Sequence, residues 1–203
     1  MENKKTIGIP RAISYYNYFP FWYGFLNKLG IEIILSSPTT KKIVSDGASL
    51  VVTETCLPIK VYVGHVLDLI NKGVKNIFVP SIQSIAPKIY NCSKIRGLPD
   101  LIRNVVKGDF RIIEATLDKS EKNNNLIDFL KEIANYYDIT DINTIKEAQN
   151  AGFIVQNNFN VMVQNGLNFE EALKNAKQGN VIIPPKQDAK PISIALIGHG
   201  YNI

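Results

Sequence analysis

The sequence predicts an open, mostly parallel α/β sheet, and three observations carry that expectation. Short apolar, β-branched runs alternate with longer stretches whose apolar residues recur every three or four positions. The intervals between the short runs are long enough for crossover helices. Gly and Pro punctuate the boundaries. Taken in order, Thr6 to Ile9 is a compact strand ended by Pro10, and Tyr15 to Leu29 is an aromatic-rich helix with Gly30 as its stop. Ile31 to Leu35 is the second strand. Ser36 to Thr40 supply turn and cap residues for a short helix over Lys41 to Asp46. Leu50 to Thr53, apolar and β-branched, reads as a third strand. From Ile59 to Asn71 the sets Tyr62, Val66, Leu69 and Val63, Leu67, Ile70 mark a helix that stops before Gly73. Asn76 to Pro80 is a fourth strand, and a long irregular stretch then carries Cys92 as far as Gly97-Leu98-Pro99. A short helix over Asp100 to Val106 and a fifth strand over Arg111 to Leu117 complete the series.

Parallel units of this kind close through right-handed crossovers, so residues 1–120 are expected to form a Rossmann-like or flavodoxin-like sheet with helices on both faces. Past Lys119 the pattern changes. In residues 121–180, Leu126, Ile127, Leu130, Ile133, Ala134 and Tyr137 share one helical face, and a second helical region runs from Asn143 to Lys177. Such helices brace a sheet, cap an edge or connect domains. Residues 181–191, with Pro184-Pro185-Lys186-Gln187, read as a linker. Residues 192–203 open on Ile192 to Ile197, an apolar strand of the buried parallel type, followed by Gly198-His199-Gly200. This is expected to be the first strand of a truncated second α/β domain; the alternative is that it pairs as the last strand of the first sheet. Ile9-Pro10 with Tyr16-Asn17 faintly echoes Ile197-Gly198 with Tyr201-Asn202.

The chain has 203 residues, 45% of them hydrophobic and 20% charged, a composition that disfavours disorder and coiled coils. Its net charge is +5, but the cations are scattered in short pairs such as Lys4-Lys5 and Lys41-Lys42, which argues against a nucleic-acid footprint. No apolar run reaches the roughly 18 residues of a membrane helix, and the N-terminus enters a strand directly. The expectation is a cytoplasmic protein that neither spans a membrane nor carries a leader. Two cysteines are too few for a disulfide framework, which leaves thiolate chemistry, metal ligation or packing for Cys56 and Cys92.

Ligand sites in open α/β sheets lie beyond the carboxyl ends of the strands. Pro10-Arg11, Glu54-Thr55-Cys56-Leu57-Pro58 and the segment from Ser81 to Cys92 follow three different strands and can converge there. Cys56 also precedes a helix, whose N-terminal partial charge favours a thiolate. Packing as a small buried hydrophobe is the ordinary alternative for either cysteine. The spacing does not make a zinc site, and two thiolates fall short of an iron–sulfur set. Arg11 can receive a phosphate or carboxylate or pair with Glu54, and Lys60 can sit one turn beyond Cys56 to support a thiolate or anion, or be solvated. His65, on the apolar helical face, is expected to be packed and satisfied. Tyr15, Tyr16, Phe19, Phe21, Trp22 and Phe25 are expected to be core and interface aromatics, and Gly198-His199-Gly200 is too short for a dinucleotide signal. A redox switch between the cysteines and a non-catalytic module binding CoA or another anion through Arg11 are the competing readings.

The segments Thr6-Ile7-Gly8-Ile9-Pro10-Arg11, Tyr15-Tyr16, Phe19-Pro20-Phe21-Trp22, Glu54-Thr55-Cys56-Leu57-Pro58-Ile59-Lys60, Gly64-His65, Tyr90-Asn91-Cys92 and Gly97-Leu98-Pro99-Asp100 carry a family likeness. Together they resemble the N-terminal part of the 2-hydroxyacyl-CoA dehydratase D-component family, particularly its relatives associated with the activases of acyl-CoA dehydratases. The resemblance implies an oxygen-sensitive iron–sulfur protein of anaerobic metabolism. In such dehydratases a [4Fe-4S] cluster held by cysteines of two α/β domains receives one electron from an ATP-dependent activator, and a ketyl radical on the CoA thioester lets water leave. Cys56 and Cys92 match two ligand positions, with a third implied past Ile203, while Arg11 and Lys60 lie within the matching segments. Ser93 stands where relatives are expected to carry proline. Some relatives hold a double-cubane [8Fe-9S] cluster and reduce small molecules. The resemblance further implies an activator protein, a CoA thioester and a homo- or heterodimer as partners.

Overall fold

In the computed structural model, which describes residues 5–120, 126–185 and 198, the chain runs β1 (Thr6–Ile9), α1 (Tyr15–Lys28), β2 (Glu32–Leu35), α2 (Lys41–Leu50), α3 (Leu57–Asn71), β3 (Asn76–Phe78), β4 (Ser81–Ala86) and β5 (Ile89–Tyr90). It continues through α4 (Ser93–Arg96), α5 (Leu98–Val105), β6 (Arg111–Ile113), β7 (Thr116–Asp118), α6 (Leu126–Asn135), α7 (Ile142–Gln164) and α8 (Phe169–Lys177). The main sheet has the order β2-β1-β3-β6, all parallel, with Thr6 opposite Glu32, Gly8 opposite Ile77 and Asn76 opposite Arg111. This is the expected α/β class. The path from β2 crosses β1 to reach β3, so the winding reverses between β1 and β3, the position beyond whose carboxyl ends open α/β sheets bind ligands.

Strand alternation builds a core on each face. Ile7, Ile9, Phe78 and Ile113 point into one with α1, α6, α7 and α8, where Phe25 and Phe129 are wholly buried. Ile77 and Val79 point into the other, against Ile59, Val63, Val66 and Leu69 of α3 and Leu98 and Ile102 of α5. Each such buried side chain contributes about 1.5–3 kcal/mol. Of the aromatics expected in the core and interface, Tyr15, Phe19, Phe21, Trp22 and Phe25 are buried and Tyr16 is partly buried against them, and Trp22 meets Phe78 edge-on at 4.9 Å.

The third strand does not form. Helix α2 runs on to Leu50, and Val51 to Cys56 become the link between two antiparallel helices, with Val52 70% exposed. The reason is tertiary. Gly47 and Gly64 let α2 and α3 meet backbone to backbone: a Cβ on Gly47 would lie 2.5 Å from Gly64 N. With α2 locked on α3, Leu50 to Thr53 have no sheet edge to join. The stretch after the fourth strand is not irregular either. Hydrogen bonds from Val79 N to Ile113 O (3.0 Å) and from Ser81 N to Ala115 O (2.9 Å) carry the pairing past β3 and β6 into a second small sheet, β5-β4-β7. The expected fifth strand is thereby divided into β6 and β7.

Helix α7 packs on α1 through Gly24 and Gly152, where a Cβ on Gly24 would stand 2.5 Å from the Ala151 carbonyl oxygen. Within α1, Pro20 has no N–H to donate and crowds the carbonyl one turn back. The next amide, Phe21 N–H, donates to Gln156 Oε1 on α7 at 3.1 Å. Gln156→Leu is therefore expected to cost about 1–2 kcal/mol by removing that acceptor, read as a lower urea midpoint at unchanged slope. Residues 181–185 have no regular structure. The rest of the expected linker, the strand Ile192 to Ile197 and the echo around Tyr201 lie outside the described residues. Among the described residues, no helix is long and apolar enough to cross a membrane.

Candidate functional site

Three loops reach the carboxyl-end side of the parallel sheet. The first follows β1. Arg11 N–H donates to Ser36 Oγ at 2.8 Å, tying the ends of β1 and β2 together, and Ile13 takes a φ of 51°, a strained conformation for a β-branched residue held here by burial. Arg11 forms no salt bridge with Glu54 among the described residues; its Nε is buried without a hydrogen-bond partner. An Arg N–H kept from water and unpaired is an unmet donor for an anion.

Next to it lies His65, packed as expected but not satisfied. It is fully buried, with Nε2 3.0 Å from Thr39 Oγ1 and Nδ1 without a partner. Burial, helped by the positive charges of Arg11 and Lys72 and opposed by Asp68, pushes its pKa down to about 4, so the imidazole is neutral near pH 7. Asp68 is held through other groups. Burial raises its carboxyl, but Ser37 N–H at 2.6 Å, the Ser37 hydroxyl at 3.1 Å and Lys72 at 2.9 Å outweigh that and hold it below the usual carboxylate range. Sequence reasoning missed Ser36, Thr39 and Asp68 as partners of this rim. The only available signal was the run of turn residues after β2 and the three-residue step from His65 to Asp68.

The second loop joins α2 to α3 and carries Cys56 at the N-cap of α3. It does not follow a strand, yet it reaches the same side, because α3 runs back antiparallel to the strand that succeeds it. Lys60 does not stand free beside the thiol: its Nζ donates to Thr53 O at 2.8 Å and anchors the loop that presents Cys56. The third loop leaves the β4–β5 hairpin, turned at Lys88 with φ 60°, and carries Cys92 just ahead of α4. It is firmly held. Asn91 bonds β4 through its amide to Gln83 O (2.9 Å) and through Nδ2 to Ile82 O (2.8 Å), and Arg96 Nε donates to Gln83 Oε1 (2.6 Å).

Both cysteines are exposed free thiols, so neither is the small buried hydrophobe of the ordinary alternative. Val52 and Leu57 beside the first, and Ile89 and Tyr90 beside the second, are all more than half exposed. Among the described residues no group of three or more His, Cys, Asp or Glu could hold a metal ion. Two exposed thiols suit a soft metal or an iron–sulfur cluster as donors, but as a set they are incomplete. Arg11 lies in the polar cluster with Ser36 and His65.

No curated protein and no solved structure matches this chain. The family described as the CoA enzyme activase uncharacterised domain (DUF2229) matches residues 6–203, and the chain belongs to that family.

Proposed function

We propose that this chain is the N-terminal α/β part of an iron–sulfur protein of the 2-hydroxyacyl-CoA dehydratase type, with Cys56 and Cys92 as two thiolate ligands of its cluster. The observation that carries the reading is the pair of exposed, free thiols, each the residue immediately before a helix. Bound there, the cluster would supply one-electron chemistry, taking its electron from an ATP-dependent activator and serving the loss of water from a CoA thioester. The part played by the chain itself is positional. Lys60 braces the Cys56 loop through Thr53 O, and Gln83, Asn91 and Arg96 brace the Cys92 loop. The chain contains only two cysteines, so further thiolates come from other polypeptide. The exposed apolar residues beside each thiol agree with a body closing over them.

Anaerobic reconstitution of the full-length protein with iron and sulfide tests this. Cys56→Ala and Cys92→Ala are each expected to lower bound iron and sulfide to less than about half of the parent's. Variants that hold as much iron and sulfide as the parent overturn the ligand assignment.

One observation favours a second reading, a non-catalytic module that binds CoA or another anion: the buried, unpartnered Nε of Arg11. Calorimetric titration with a CoA thioester in air, where a cluster would be lost, separates the two. Heat that disappears in Arg11→Ala supports the module, and the absence of binding removes it.

A further inference from the structure

On the face opposite α3 and α5, a cleft of about 440 Å³ opens between α1, the small sheet, α6 and α7. Neither cysteine lines it. Its walls are apolar: Trp22 and Phe21 of α1, Ile82 of β4, Leu117 of β7 and Phe129 of α6, with Trp22 and Phe129 ring centroids 5.7 Å apart. Phe153 stands edge-on to Phe21 at 5.1 Å and remains 41% exposed at the opening. The size is that of sites for small organic ligands, and a cleft walled this way excludes water poorly matched to it while accepting an apolar body.

Polar groups complete the lining. Lys119 follows β7, where its own N–H donates to Ser84 O at 3.2 Å, and among the described residues its ammonium has no ion-pair partner. Asn160 Oδ1 accepts from Gln156 Nε2 at 2.9 Å, so the Nδ2 amide of Asn160 is not committed by that bond and can donate to a ligand. Gln156 itself is spoken for on both sides, by Phe21 N–H and by Asn160. Among the described residues, the lining thus joins an apolar interior to the unpaired ammonium of Lys119 and to spare amide donors.

We propose that this cleft binds a small amphipathic monocarboxylate, its apolar body against Leu117, Leu126 and Phe153 and its carboxylate at Lys119. The site is independent of the cluster reading, uses no cysteine and can be tested without iron.

Trp22 is the only tryptophan in the chain, so its emission reports on the cleft directly. Titration of the purified chain with octanoate is expected to give a saturable change in that emission. Lys119→Gln should weaken octanoate binding about fivefold while leaving 1-octanol, which has the same body without the charge, unaffected. Phe153→Glu, which places a negative charge at the exposed opening, should abolish the octanoate response. Its unchanged circular dichroism would show that the fold persists. The proposal is overturned if octanoate gives no saturable response, or if Lys119→Gln binds it as tightly as the parent.

Discussion

Gly64→Ala is expected to be among the most damaging single changes in the molecule. On helix propensity alone it should help, since alanine is favoured over glycine inside a helix by about 1 kcal/mol. The packing reverses the sign. A Cβ at this position falls inside the contact distance of the Ile43 carbonyl oxygen and 2.8 Å from its carbon, and the opposing atoms are the backbone of α2 and cannot rotate away. The helices must separate, which opens the core beneath α3, where Ile59, Val63, Val66 and Leu69 meet the sheet. A loss of about 3 kcal/mol or more follows from overpacking of this severity, read as a drop in urea midpoint and melting temperature. Equal stability of Gly64→Ala and the parent would show that α2 and α3 do not meet this closely. Because the α2–α3 link presents Cys56, the same variant should also disturb any chemistry of that thiol.

The second large effect is a dependence on pH. Unfolded, His65 takes up a proton near its ordinary pKa of about 6.5; folded, it stays neutral down to about 4. Between those values the unfolded state binds more protons, so stability falls as pH drops through that window and levels off below it. The full difference is worth about 3 kcal/mol, converted at 1.36 kcal/mol per pKa unit. Asp68, whose carboxyl is held low, contributes only at more acidic pH, where protonation would release Ser37 and Lys72. Urea unfolding at about pH 7.5 and about pH 4.5 should therefore show a marked loss for the parent and a much smaller one for His65→Gln. Parallel losses in the two proteins would mean that His65 is not the group responsible.

How far the architecture could be read in advance differs from element to element. Helix α1 and helix α3 were legible because their apolar positions repeat with the helical period and each runs into a glycine stop, Gly30 and Gly73, that takes a positive φ. Strands β1, β2, β3 and β6 were legible as short apolar runs. Leu50 to Thr53 was misleading for a definite reason. Local β propensity cannot register that Gly47 and Gly64, seventeen positions apart, bring two helices into backbone contact. Pairing of β4 with β7 was equally invisible, since it depends on hydrogen bonds between segments more than thirty residues apart.

The candidate site divides in the same way. Residue chemistry and chain order alone named Cys56 and Cys92, placed Cys56 ahead of a helix and set both on loops expected beyond a parallel sheet; that Cys92 also precedes a helix, α4, was decided by the folded chain. Exposure of the two thiols, the commitment of Lys60 to Thr53 O and the unpaired Nε of Arg11 were decided only by the folded chain. The physical reason is that periodicity and spacing record which residues share a face. Hydrogen-bond partners, burial and the closeness of two backbones are set by distant segments meeting in space, and short-range pattern carries no information about them.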